Sequence, residues 1–333
     1  SKNAAATDFN VTGSLGGNLK GIIEFNTVAV DGQLKANAGP ANAVIGTNNG
    51  AGRAAGFVVS VDNGKVATID GQVYAKDMVI QSANAVGQVN FRHIVDVGID
   101  GTTAFKTAAS KVAITQNSNF GTTDFGNLAA QITIPNTMTL KGNFTGDANN
   151  PGNTAGVITF DANGTLASAS ADANVAVTNN ITAIEASGAG VVQLSGTHAA
   201  ELRLGNAGSV FKLADGTVIN GKVNQTALVA GALAAGTITL DGSATITGDI
   251  GNAGGAAALQ GITLANDATK TLTLGGANII GANGGTIDFQ ANGGTIKFTS
   301  TQNNIVVDFD LAITTDQTGV VDASSLTNAQ TLT

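Results

Sequence analysis

The residues able to do chemistry are few, and their spacing decides what each could do. Residues 284–298, "GGTIDFQANGGTIKF", repeat a nonapeptide. A nine-residue glycine repeat has one known chemical use, the calcium-binding pattern G-G-x-G-x-D-x-U-x, in which the fourth-position glycine makes the turn and the sixth-position carboxylate gives oxygen to the ion. Here the fourth positions are Ile287 and Ile296, and the sixth are Phe289 and Phe298. Asp288 comes one place early, and its counterpart is Lys297. The repeat therefore reads as architecture, two successive faces of one turn with those four apolar side chains pointing inward, and no metal site is assigned.

Other constellations fare similarly. Asp308 and Asp310, in "NNIVVDFDLAI", are two apart on one strand face and could in principle serve as the two carboxylates of glycoside cleavage. Val307, Phe309 and Leu311 take the opposite face, and no third acid, basic group or aromatic platform stands nearby, so the pair reads as a solvated face. His93, in "FRHIVDVGID", has the parity of Phe91, Val95 and Val97, which predicts an inward core residue with Asp96 and Asp100 opposite. His198, in "SGTHAAELRL", falls in a turn and reads as exposed. "GAGRAAG", residues 50–56, matches G-x-G-x-x-A, but a dinucleotide site needs a helix next and the strand-like "FVVSV" follows. Without cysteine or a G-x-S-x-G elbow, thiol, zinc and serine-triad chemistry have no ligands or nucleophile to use. No catalytic residue, cofactor or metal ligand is assigned.

The elements that must carry these residues are strands. "GIIEFNTVAV", "GFVVSVDNG", "AQITIPNTMTL", "AELRLGN" and "GTITLDGSATITGDI" alternate apolar with polar residues and end at Gly, Asn or Asp. The best helical stretch, residues 227–235, is short and stops at Gly236. From Ile262 the strand centres fall near Leu272, Ile279, Ile287, Ile296, Ile305 and Ile313, so three strands make a unit of about 25 residues, one turn of a three-sided solenoid. Ordinary parallel sheets are buried on both faces and read as continuous apolar runs; these alternate, as a strand with one face in a narrow core must. The predicted fold is all-β, a right-handed parallel β-helix with loop excursions. A tandem of β-sandwiches is the alternative, and the Asp-Gly pairs at Asp31, Asp70, Asp100, Asp215 and Asp241 would suit its hairpins.

Composition narrows the function. Of 333 residues 43% are hydrophobic and only 11% charged, with 45 Gly, one Tyr and no Trp, so the chain folds around a thin core expected to rely on small branched side chains. A net charge of −8 with 15 basic residues gives no footprint for nucleic acid or an anionic membrane. Zero Cys suits a bacterial exported chain. The rhythm breaks at residues 36–56, 142–156 and 251–258, which predicts loops thrown out from the stack.

The runs "TITLDGSATITGDIGNAGG" and "TLTLGGANIIGANGGTIDFQANGGTIKFTSTQNNIVVDFDLAITTDQTG" resemble passengers of the rickettsial surface cell antigen autotransporters, along the whole chain. The resemblance implies a bacterial cell-surface protein on the extracellular side of the outer membrane, used in adherence to and invasion of host cells. It implies two partners, a host-cell surface protein receptor and the passenger's own C-terminal outer-membrane β-barrel, and no nucleic acid or small-molecule substrate. A signal peptide and that barrel would complete such a protein, so residues 1–333 read as one elongated passenger segment of something longer. Short-range stacking suits a chain that folds as it emerges. The alternative reading is a β-helical polysaccharide-active enzyme. For partner binding the polar, turn-rich loop within residues 142–156 is favoured, with Asp147, Asn149, Asn150 and Asn153 as contact residues.

Overall fold

A computed structural model of the chain describes residues 9–12, 22–27, 32–37, 44–46, 48, 52–82, 87–106, 110–150, 153–169, 176–224, 236–251, 258–312, 318–327 and 331–332. All regular secondary structure among them is β-strand, and the strand ladders are parallel. That removes the sandwich alternative, which needs antiparallel hairpins. Contacts divide the chain into two compact units: Ser1–Thr159 with Ala167–Asp172 and Val177–Thr182, and Phe160–Leu166 with Ala173–Ala176 and Ala183–Thr333. Each is a stretch of β-solenoid.

In unit 1 one face stacks strands Val66–Asp70, Gly87–Phe91, Ser110–Ile114 and Gln131–Ile134. Val66 pairs with Gln88, Gln88 with Lys111 and Lys111 with Gln131, so one coil takes 20 to 23 residues. A second face stacks Ala54–Val61, the end of Gln72–Gln81, and Thr102–Lys106, while a third stacks the start of Gln72–Gln81 on Val95–Asp96 and the start of Ser118–Asp124. Long strands such as Ser118–Asp124 therefore bend around a corner. At that bend Gly121 has φ 59°, and a Cβ there would lie 2.2 Å from the Gly101 carbonyl oxygen. Only glycine fits.

Unit 2 repeats the scheme with a longer coil: Val210 pairs with Thr237, Thr237 with Gly261, Gly261 with Thr286 and Thr286 with Asp310, steps of 24 to 27 residues. The expected 25-residue turn holds here. On a second face, Thr197–His198, Thr217–Ile219, Ala244–Ile246, Thr271–Leu274 and Gly294–Phe298 stack in order. The third face thins to the single bridges Leu202–Val223, Val223–Ile250 and Ile250–Ile279. At the corner before Gly294–Phe298, Gly293 has φ 78° and a Cβ would meet the Thr318 carbonyl oxygen at 1.6 Å.

Inward residues form rows along the stack, because register brings the same position of each coil together. Ile287, Phe289, Ile296 and Phe298 are all buried, as the repeat predicted. Among the described residues the core is chiefly Val, Ile and Leu, as expected, with phenylalanines as its bulkiest members. The largest fully buried side chains are phenylalanines, among them Phe57, Phe91, Phe120, Phe125 and Phe144. The ring centroids of Phe105 and Phe125 lie 5.0 Å apart and those of Phe125 and Phe144 6.4 Å apart, both pairs stacked. Thirteen Phe in 333 residues look sparse until the coil period brings Phe105, Phe125 and Phe144 into one row.

Corners are tied along the stack by side chains. Asp215 Oδ1 accepts the Ser243 N–H at 2.6 Å, and Ser243 Oγ accepts the Thr271 N–H at 3.1 Å. Asn266 Oδ1 likewise accepts the Asn292 N–H at 2.9 Å. Short polar residues at corners thus satisfy backbone donors that no strand ladder reaches. Among the described residues other than Gly, the left-handed positions are Asn127, Asn180, Asn224 and Gln290.

Of the three predicted excursions, that at 142–156 is shorter than expected: strand Met138–Thr145 runs into it and Ala155–Phe160 resumes after it, leaving residues 146–154 as the loop. Within 36–56, strand Val44–Ile45 pairs with Gln72 and Val73. Residues 252–257, the helical candidate at 227–235, Asp31 and the strand centre Ile313 lie outside the described residues.

Candidate functional site

The loop at residues 146–154 is held from inside by Asp147. Its Oδ1 accepts the N–H groups of Asn149 at 3.0 Å and Asn150 at 3.1 Å, and its Oδ2 accepts Asn153 Nδ2 at 3.4 Å. The Asp147 carbonyl accepts the Asn150 N–H, and the Asn150 carbonyl accepts the Asn153 N–H. Asp124 Oδ1 reaches across to the Ala148 N–H at 3.2 Å. An aspartate that bonds its own backbone two residues on is the reason this sequence turns here. Of the four predicted contact residues, Asp147 is buried and spends its carboxylate on the loop, Asn153 is half-buried, and Asn149 and Asn150 are exposed. Pro151 and Gly152 lie outside the described residues.

The histidine assignments are reversed. His93, expected inward, is half-buried at a bend, with Nε2 3.1 Å from Asp70 Oδ1. Strand Gly87–Phe91 ends before it and the next begins at Val95, so His93 sits in the bend between them while Phe91, Val95 and Val97 keep the inward facing that parity gave them. His198, expected exposed in a turn, is 0% exposed in strand Thr197–His198. Its turn is Ser195–Gly196, where Gly196 has φ 85°, and Thr197–His198 form a short strand where the sequence suggested only a turn. In register His198 aligns with Ile219, Ile219 with Ile246, Ile246 with Leu274 and Leu274 with Phe298, so the imidazole occupies an aliphatic row. Its Nε2 lies 3.1 Å from the Ser195 carbonyl, which can only accept, so Nε2 carries the proton. Nδ1 has no hydrogen-bond partner among the described residues. Burial holds its pKa down at about 4, against which the Ser195 hydrogen bond acts.

Asp308 and Asp310 are both exposed, as expected. Their apolar neighbours are covered less than expected: Val307 and Phe309 are half-buried and Leu311 is 47% exposed. Leu311 stacks on Ile287, and no described strand flanks its other side. Arg53, from the glycine-rich match at 50–56, leads into strand Ala54–Val61 rather than a helix and pairs with Asp96 Oδ2 at 3.0 Å. Among the described residues no three His, Cys, Asp or Glu side chains are grouped to hold a metal ion.

Sequence reading did not find a groove of about 370 Å³ on the third face of unit 1, lined by Ile94, Asp96, Asn117, Asn119, Thr139 and Lys141 over a floor of Val95 and Ser118. Register assembles it: Asp96 aligns with Asn119 and Asn119 with Lys141. At one end Asp96 is held by Arg53 and by the Gly98 N–H, and the neighbouring Tyr74 phenol has its pKa raised by burial and then by Asp96, with Arg53 opposing. The coil step of about 22 residues would have revealed the alignment, had the corners been placed to within one residue.

The comparisons with known proteins agree on one family. The passenger domain of Rickettsia outer membrane protein B matches residues 59–333. Over the whole chain, identity is 96% to outer membrane protein B of Rickettsia conorii, 92% to that of Rickettsia rickettsii and 75% to that of Rickettsia typhi. The chain spans 20% of the length of each of these relatives. No solved structure matches it.

Proposed function

This chain belongs to the Rickettsia outer membrane protein B passenger-domain family, and from that premise we propose that it is a non-catalytic adhesive surface, binding a host-cell surface protein during adherence and invasion. It is passenger sequence of an outer-membrane surface protein, and the family is not an enzyme family. The observation that carries the binding proposal is the Asp147-centred loop. Its internal bonds fix the backbone while Ala148, Asn149 and Asn150 stay exposed. A rigid polar loop on a stacked scaffold loses little conformational freedom on binding, which favours affinity from modest contacts. The host protein would touch Asn149 and Asn150, with Asp147 and Asn153 holding the loop's shape. Dense display on a cell would multiply weak contacts by avidity. The passenger's own β-barrel remains the proposed membrane partner.

The test compares beads coated with the chain, the Asn149→Ala/Asn150→Ala variant, and a variant with residues 147–153 replaced by a short Gly-Ser linker. Weaker adherence to host cells by both variants, with unchanged circular dichroism, supports the loop. Unchanged adherence by both would place binding elsewhere in the passenger.

A further inference from the structure

The groove on unit 1 has a hydrogen-bonding bias that its residue names alone do not disclose. Asn117 Oδ1 accepts the Thr139 N–H at 2.7 Å, and Asn119 Oδ1 accepts the Gly121 N–H at 3.0 Å. Those bonds fix which end of each amide is oxygen, leaving the two NH₂ groups as the ends available to a ligand. Thr139 adds a hydroxyl and Lys141 an ammonium that makes no ion pair with a described residue. The groove's one carboxylate, Asp96, already serves Arg53 at 3.0 Å and the Gly98 N–H at 2.8 Å. Donors therefore outnumber free acceptors, and the uncompensated charge is positive although the chain as a whole carries −8. Ile94 supplies an apolar wall.

From this arrangement we infer that the groove binds a carboxylated sugar, with the carboxylate on Lys141, ring and hydroxyl oxygens on the Asn117 and Asn119 amides, and a C–H face against Ile94. Its 370 Å³ falls at the lower end of the small-ligand range and suits one sugar unit. An extended peptide captured through its main chain needs an open strand edge, and the strand under the groove is paired on both sides, Asn119 with Asp96 and with Lys141. Phosphate is less well served, because the bidentate guanidinium that suits it, Arg53, is committed to Asp96. The site is separate from the loop at residues 146–154 and does not depend on its role.

The experiment is saturation-transfer NMR and calorimetry on the full chain with methyl glucuronide and methyl glucoside, which differ only in carboxylate against hydroxymethyl. Glucuronide should bind in the millimolar range, weaken with added salt, and bind at least about tenfold more tightly than glucoside, the scale of one charge-assisted hydrogen bond. Lys141→Gln should remove that preference while Lys106→Gln, an exposed lysine outside the groove, should not. Equal binding of the two sugars, no binding of glucuronide, or a preference that survives Lys141→Gln would overturn the inference. Tighter binding of a short poly-glutamate peptide in the same groove would also overturn it, in favour of a protein ligand. Circular dichroism of each variant confirms that the fold is kept.

Discussion

Acidification should destabilise unit 2 through His198. In the folded chain the imidazole is 0% exposed, with Nε2–H donated to Ser195 and Nδ1 unpaired, so protonation would place both a charge and an orphan N–H in an aliphatic row. Its pKa falls from an ordinary 6.5 to about 4. Between those values the unfolded chain binds a proton that the folded chain refuses, so stability is intact above pH 6.5 and is lost as pH falls toward 4. The full loss is about 3 kcal/mol, with about 2 kcal/mol gone by about pH 5. Carboxylates contribute little in that window. Asp215, Asp267 and Asp322 are held below the usual range, Asp215 and Asp267 first by backbone N–H donors from Ser243 and Thr269, and Asp322 first by the Ser324 side chain. Urea unfolding followed by circular dichroism across this pH range would measure the slope for the wild type, His198→Gln and His198→Leu. Glutamine keeps a donor for Ser195, and leucine continues the row of Ile219 and Ile246. Both should flatten the slope, and comparison with wild type cancels His93. A slope that survives in both variants would refute the buried, neutral imidazole.

Calcium or a chelator should leave the thermal midpoint unchanged, because Ile287 and Phe289 fill the core at the repeat's turn and ligand positions; a rise of several degrees with calcium would mean that ligands come from elsewhere. Ile296→Asp should cost several kcal/mol by burying an unpaired charge, whereas Lys297→Gln, on the outward side of the same strand, should change stability by only about 0.5 kcal/mol. Equal effects in denaturant titrations would mean the strand faces the other way. Phe125→Ala should destabilise unit 1 by about 3–5 kcal/mol, since it removes the middle ring of the stack between Phe105 and Phe144; a loss under about 1 kcal/mol would show that the stack contributes no more than an exposed contact.

The parallel stacking, the coil of about 25 residues in unit 2 and the inward facing of Ile287, Phe289, Ile296 and Phe298 were legible in the sequence, because alternation and spacing are local properties of the chain and a narrow core enforces both. Corner positions were not. In a bend the backbone leaves the pleat and alternation no longer says where a side chain points: His93 sits half-buried in the bend before Val95, His198 falls in a two-residue strand just past Gly196, and the loop at residues 146–154 proved shorter than the break in rhythm suggested. The phenylalanine row and the polar groove depend on a further step. Phe105, Phe125 and Phe144, or Asp96, Asn119 and Lys141, become neighbours only when coils of unequal length settle into register. Local pattern determined that the chain would wind; tertiary packing decided which side chains meet, because inter-coil register is set by the whole stack of backbone bonds and buried rows.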